Sequence, residues 1–148
     1  VVNCTGLGAR ELCRDNELQA VRGQVLRIKG SHMPHAWIDD TRDGPCYVIP
    51  RADGLVVGGT AQMGDERLTV DDGDSEAILE RVTRAFPQLR GAQVLATRVG
   101  LRPYRSTVRL ECEQRSDGRR LIHNYGHGGS GYTLAWGCAE DVALLLTS

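Results

Sequence analysis

The chain has 148 residues, enough for one ordinary domain with a core of its own. Its 18 basic and 19 acidic residues nearly cancel to a net charge of −1, and the two signs are interspersed, so neither a nucleic-acid partner nor a charged membrane surface is expected. No apolar run is long enough to span a bilayer. Cysteines at 4, 13, 46, 112 and 138 are odd in number and include no Cys-x-x-Cys pair, which speaks against a disulfide framework or a zinc ribbon and for a reducing compartment, the cytoplasm. Lys29 is the only lysine, an arginine bias that fits a GC-rich bacterial source. The chain opens on Val1-Val2 without Met and closes inside the apolar run Val142 to Leu146, so a longer parent protein is expected.

In chain order, Val1 to Cys4 reads as the end of a buried strand and Ala9 to Arg14 as a short helix. Gln24 to Ile28 reads as a strand between Gly23 and Gly30. His32 and His35 read as loop residues around Pro34. Cys46 to Ile49 and Leu55 to Val57 are two β-prone runs joined by Arg51-Ala52-Asp53-Gly54, whose Asp-Gly is a strong hairpin signal. The acidic run Asp71-Asp72-Gly73-Asp74 suits the positive end of a helix dipole. Behind it, Ile78, Leu79, Val82, Ala85 and Phe86 recur at helical spacing, predicting a helix over 74–86 that Pro87 stops. Gln93 to Val99 and Thr107 to Glu113 read as strands. A Ser116-Asp117-Gly118 turn leads to a strand over Leu121 to Tyr125, and a last helix runs from Tyr132 to Thr147. Mixed strands with mostly hairpin connections predict an α+β fold, with one strand–glycine loop–helix unit at the end.

That unit carries the chemistry. Gly126-His127-Gly128-Gly129-Ser130-Gly131 places four glycines in six residues between a strand and an apolar helix. Glycine allows positive φ and close approach of backbone amides, and a helix N-terminus offers free N–H groups and partial positive charge. The physics suits a phosphate, a carboxylate or an anionic ring, and glycine spacing alone suits a tight structural turn equally well. His123 and His127 stand at i, i+4, a zinc spacing on a helix, but the glycines around them oppose a helix and no Glu completes a His-Glu-x-x-His pattern, so no metal site is expected.

The whole run His123-Asn-Tyr-Gly-His-Gly-Gly-Ser-Gly-Tyr-Thr133, with Trp136-Gly137-Cys138-Ala139 beyond it, resembles the C-terminal segment of the FAD-dependent D-amino acid oxidases. Val2-Asn3-Cys4-Thr5-Gly6, Arg22-Gly23-Gln24, Tyr47-Val48-Ile49-Pro50, Gly58-Gly59-Thr60 and Gly100-Leu101-Arg102-Pro103 extend the resemblance over most of the chain. It implies the C-terminal half of a two-domain flavoprotein. Residues 1–22 would end a FAD-domain segment, 23–102 would belong to the substrate-binding domain with its mixed, antiparallel sheet, and 103–148 would return to the FAD domain.

The resemblance also implies roles. Arg102 and Tyr47 would hold the substrate carboxylate and so serve catalysis, and Gly129 would offer its carbonyl to the amino group. Thr5, Gly6, Gly128, Gly129, Ser130, Gly131, Tyr132 and Thr133 would line the FAD, with Thr133 at a helix N-terminus facing the anionic end of the reduced ring. The implied reaction takes a D-amino acid and O2 to a 2-oxo acid, ammonia and hydrogen peroxide, the protein supplying orientation and electrostatics. Two departures bear on substrate range: the stretch from Trp37 to Tyr47 is short and lacks a second tyrosine, and position 130 is Ser rather than aromatic. The Gly-x-Gly-x-x-Gly fingerprint of the family's ADP-binding half is absent, so that half is expected upstream of Val1. A glycine or sarcosine oxidase-like amine oxidase and a non-catalytic anion- or nucleotide-binding module remain open, as does a homodimer.

Overall fold

The computed structural model describes residues 1–30, 33–40 and 44–147. Its elements are β1 (Val2–Asn3), α1 (Ala9–Leu12), β2 (Gln19–Ile28), β3 (Trp37–Asp39), β4 (Cys46–Arg51), β5 (Gly54–Gly58), β6 (Gln62–Met63), α2 (Asp72–Ala85), β7 (Val94–Gln114), β8 (Arg120–His127) and α3 (Gly131–Thr147). The fold is α+β, and the chain forms two compact units, residues 22–101 and residues 1–21 with 102–148.

In residues 22–101, β3, β4 and β5 form an antiparallel meander, and β5 pairs in turn with β2, Ile28 opposite Leu55. The β4–β5 hairpin closes with Arg51 opposite Gly54. Gly54 has φ +144°, and a Cβ there would lie 2.6 Å from the Ile28 carbonyl oxygen, so the turn and the neighbouring strand both require glycine. Strand alternation sends Leu26, Ile28, Val48, Leu55 and Val57 to one side, where Ile78 and Val82 of α2 complete a buried aliphatic core. Burying each such side chain contributes roughly 1.5–3 kcal/mol. Helix α2 starts where the acidic run predicts: the Asp71 carboxylate accepts the Asp74 amide at 3.0 Å as N-cap.

The fully buried Arg22 ties β2 to the segment before α2. It donates to Asp74 (2.6 Å), Gln62 (2.7 Å), Gln24 (2.9 Å) and the carbonyls of Arg67 and Thr69. Gln24, also buried, bonds to Ser75 and the Asp71 backbone.

In residues 1–21 with 102–148, β1 runs parallel to β8 and β8 runs antiparallel to β7, Arg109 opposite Tyr125 and Gln114 opposite Arg120. The apolar core here is small, Ala9, Leu18 and Tyr125 with Leu7 and Cys13 against it.

Several expectations change. In this chain the opening strand is exposed where burial was expected: Val1 is 82% and Val2 38% exposed, Asn3 is buried, and among the described residues β1 pairs with β8 alone. The expected strands 93–99 and 107–113 are one strand, β7, continuous through Gly100 and Pro103, with a register irregularity between Tyr104 and Arg109. Strand β2 begins at Gln19, α2 at Asp72, and α3 at Gly131. His35 lies in a bend, as expected of a loop residue; His32 lies outside the described residues, as do positions 41–43 of the short stretch before Tyr47.

Candidate functional site: the glycine loop and the strand beneath it

The loop between β8 and α3 rests on the 102–105 stretch of β7. A Cβ at Gly126, where φ is +91°, would sit 2.7 Å from the Arg105 Cβ, so no other residue fits without displacing the strand. A Cβ at Gly129 would fall 3.6 Å from Arg102 Cδ and 3.9 Å from its Nε. The Arg102 side chain therefore stands beside Gly129, within van der Waals reach of where a Cβ would be. Gly128 packs likewise beside the Tyr104 ring, and Gly6 beside Pro103. The structure therefore gathers Arg102, Gly128, Gly129 and Gly6 around one stretch of β7.

Gly128–Ser130 form a 3-10 turn that passes straight into the 17-residue α3. Gly129, Ser130 and Thr133 are exposed, Gly131 is half-buried, and Tyr132 is 97% exposed. Among the described residues, no acidic side chain stands in the first turn of α3 to compete for its amides. This donor set, backbone N–H groups at a positive helix end with glycines that permit close approach, fits an anionic ring such as a reduced flavin. Thr5 is exposed beside Gly6, and both its amide and its hydroxyl donate to Asn3 Oδ1, at 3.1 and 2.7 Å.

Tyr47 belongs to the other compact unit. In β4 it pairs with Ile38 and Gly58. A Cβ at Gly58 would fall on the Tyr47 ring and one at Gly59 would fall 2.6 Å from its hydroxyl, so Gly58-Gly59 is the bed on which this ring lies. Thr60 fixes the end of that segment by accepting the Gln24 amide at 2.8 Å.

Two polar networks hold β8 in place, and neither stands out in the sequence. Asp15, buried, accepts from the Tyr125 hydroxyl (2.8 Å), Arg105 Nε (3.1 Å) and the Glu17 amide (3.1 Å). Burial alone would raise its carboxyl, but the bonds from Tyr125 and Glu17 and the Arg105 charge bring it below the usual aspartate value. Burial pushes the Tyr125 hydroxyl up. Arg109 donates to Tyr125 at 2.8 Å and to Glu111 at 2.7 Å, so Arg105 and Arg109 are structural cations. The second network joins Asn3, Cys13, Glu113 and the buried His123. His127 Nε2 stands 3.4 Å from Cys138 Sγ. Among the described residues no cluster of His, Cys, Asp and Glu could hold a metal ion, and no helix is long and apolar enough to cross a membrane.

The arrangement is a glycine loop at a helix start with a guanidinium beside it. The sequence profile of a family described as FAD dependent oxidoreductase matches residues 1–145, and the chain belongs to that family. It is 48% identical over 146 residues to the D-amino-acid oxidase of Rubrobacter xylanophilus, covering 98% of this chain and 45% of that protein. To the D-amino-acid oxidase of Streptomyces coelicolor it is 46% identical over 148 residues, covering 98% of this chain and 46% of the other. Among solved structures it resembles glycine oxidase from Geobacillus kaustophilus, with a TM-score of 0.84 at 21% identity over 99% of this chain and 41% of that one, a likeness of fold. The chain thus spans a little under half the length of these relatives.

Proposed function

We propose that the full-length protein is a D-amino-acid oxidase and that this chain is its C-terminal half. The reaction takes a D-amino acid and O2 to a 2-oxo acid, ammonia and hydrogen peroxide. The observation that carries this reading is the Arg102 side chain lying against Gly129, at the foot of the loop that opens α3. The names of the relatives at 46–48% identity support it.

Bound FAD supplies the two-electron oxidant. The rest of the work falls to this chain's residues. Arg102 fixes the substrate carboxylate through two parallel N–H bonds, which aims one face of Cα at the oxidant. Tyr47 donates its hydroxyl to the same carboxylate, and the Gly129 carbonyl accepts from the substrate amine. Thr5, Gly6 and residues 128–133 line the flavin. The first turn of α3, with Thr133, faces the ring where reduction leaves negative charge. Thr133→Ala in the full-length protein is expected to weaken flavin binding about 2–10-fold, the effect of one hydrogen bond, or to lower the flavin potential. Fluorescence titration and redox titration of the flavin read this, and unchanged values would remove Thr133 from the site.

The ADP-binding half, with its Gly-x-Gly-x-x-Gly loop, belongs upstream of Val1 in this reading. It covers the apolar side chains that α3 exposes, such as Trp136, 85% exposed, and Leu144. Five free cysteines support a reducing compartment, the cytoplasm, and the arginine bias supports a bacterial source.

The test is peroxide and 2-oxo acid formation by the full-length protein with D-amino acids, their L-enantiomers, glycine and sarcosine. Turnover confined to D-amino acids is expected. Preference for glycine or sarcosine would move the protein to the glycine oxidase class, and a holoprotein that makes no peroxide with any of them would make it a binding module.

A further inference from the structure

Beside the glycine loop, but outside the residues assigned to flavin or substrate, β1, α1, β7 and β8 bring a thiol, an imidazole, a carboxylate and an amide together. Cys13 follows α1 and is half-buried. Asn3 Nδ2 donates to its Sγ at 3.0 Å. His123 Nδ1 lies 3.9 Å from the same sulfur and 3.3 Å from Asn3 Nδ2. On the far side of the ring, His123 Nε2 stands 3.0 Å from Glu113 Oε2.

The chemistry of the partners fixes the proton positions. The bond with His123, stronger than the desolvation that opposes it, holds the Glu113 carboxyl below its usual range, so Glu113 is an anion that only accepts. Nε2 therefore carries the imidazole proton, which leaves Nδ1 an acceptor between the Asn3 amide nitrogen at 3.3 Å and the Cys13 sulfur at 3.9 Å. Asn3 cannot flip its amide, because its Oδ1 is held by the amide and hydroxyl of Thr5. Its NH2 group is thus kept on the sulfur, the donor a thiolate formed there would need. Nucleophile, base and carboxylate orienter stand in the relative order that activates cysteine and serine nucleophiles.

We propose that Cys13 is a peroxide-reactive thiol, with His123 as its base and Glu113 as the group that positions His123. The Cys13 proton passes to His123 Nδ1. The thiolate attacks one oxygen of hydrogen peroxide and the O–O bond breaks. The departing hydroxide takes the proton from His123 and leaves as water. Sulfur ends as sulfenic acid, oxidised by two electrons, and peroxide is reduced by two. A molecule the size of peroxide suits a half-buried sulfur. The proposal stands apart from the oxidase reading, which would supply only a local source of the peroxide.

Arg109 Nη2 and Arg115 Nη1 lie 3.8 and 4.0 Å from the Glu113 carboxylate. Arg10, on α1, donates Nε to the Leu18 carbonyl, while Glu11 and Arg14 are exposed.

The experiment treats the full-length protein with added hydrogen peroxide, traps sulfenic acid with dimedone and maps the adducts by peptide mass spectrometry. Cys13 is expected to react at least about tenfold faster than Cys112, half-buried in the same unit, and faster than Cys46, whose thiol burial pushes up. Iodoacetamide should label Cys13 faster than Cys112 at the same pH. His123→Gln should slow both reactions of Cys13 at least about tenfold. Should His123→Gln fail to fold by circular dichroism, Glu113→Gln, at an exposed position, replaces it with a smaller, several-fold loss. A Cys13 no more reactive than Cys112, or one indifferent to whichever of these variants folds, overturns the proposal. Added peroxide keeps the result readable even where no D-amino acid is oxidised.

Discussion

Residues 22–101 combine a continuous aliphatic core with the buried Arg22 network, while residues 1–21 with 102–148 have a small apolar core and rely more on charges and hydroxyls. The first unit buries Leu26, Ile28, Val48, Leu55, Val57, Ile78 and Val82 in one continuous core. The second buries Ala9, Leu18 and Tyr125, and anchors Tyr125 through Asp15, Arg105 and Arg109. Its longest helix, α3, is apolar along most of its length yet buries only Cys138 fully. A helix apolar on all sides is stable where something covers it. The comparison teaches that the unit bearing the glycine loop is held by polar contacts between distant segments and leaves much of its apolar helix surface uncovered within this chain. The other unit closes on a continuous aliphatic core of its own.

Mutations can break this contrast. The largest stability loss is expected from Asp15→Ala. It leaves Arg105 and the Tyr125 hydroxyl without their buried acceptor, a defect of about 3–5 kcal/mol. Denaturant unfolding of the full-length protein, read with hydrogen exchange at β8, measures it. Ile78→Ala removes a fully buried side chain from the aliphatic core and should cost about 2–5 kcal/mol. Its exchange signature should appear in β2, β4 and β5. If both variants loosen the same amides equally, the contrast fails.

Acid should act more gently and unevenly. The Asp15 and Glu113 carboxyls both titrate lower when folded than when unfolded. Their stabilisation is complete above the ordinary values of 3.8 and 4.5 and is lost as pH falls through the folded ones. Exchange at β8 should therefore rise before exchange at β5 as pH drops below about 4. Loss of protection at β5 first would contradict this.

How much of this was legible in the sequence follows the same division. Local signals were sufficient for α2, where apolar spacing and an acidic N-terminus agree, and for the β4–β5 hairpin, where Asp53-Gly54 sets the turn. They failed at β7. Gly100 and Pro103 interrupt the β pattern, yet the strand continues, because its pairing rather than its propensity decides, and the break in register falls close by between Tyr104 and Arg109. The polar networks were invisible: Asn3 and His123 are 120 residues apart, as His123 and Cys13 are by 110, and no periodicity announces such a meeting. The glycine loop was legible because its residues are contiguous. The roles of Arg102 and Gly129 were expected only from the family resemblance, and their closeness in space was not announced by the sequence.

The central claim is that Arg102, lying against Gly129, holds the substrate carboxylate beside the flavin loop. The most direct test is kcat/KM of the full-length Arg102→Ala variant for a D-amino acid, with FAD content measured alongside. Loss of two charge-assisted hydrogen bonds predicts a fall of roughly 10²–10⁴-fold in kcat/KM with FAD retained. Near-normal kinetics in a fully flavinated variant would contradict the assignment and the account built on it.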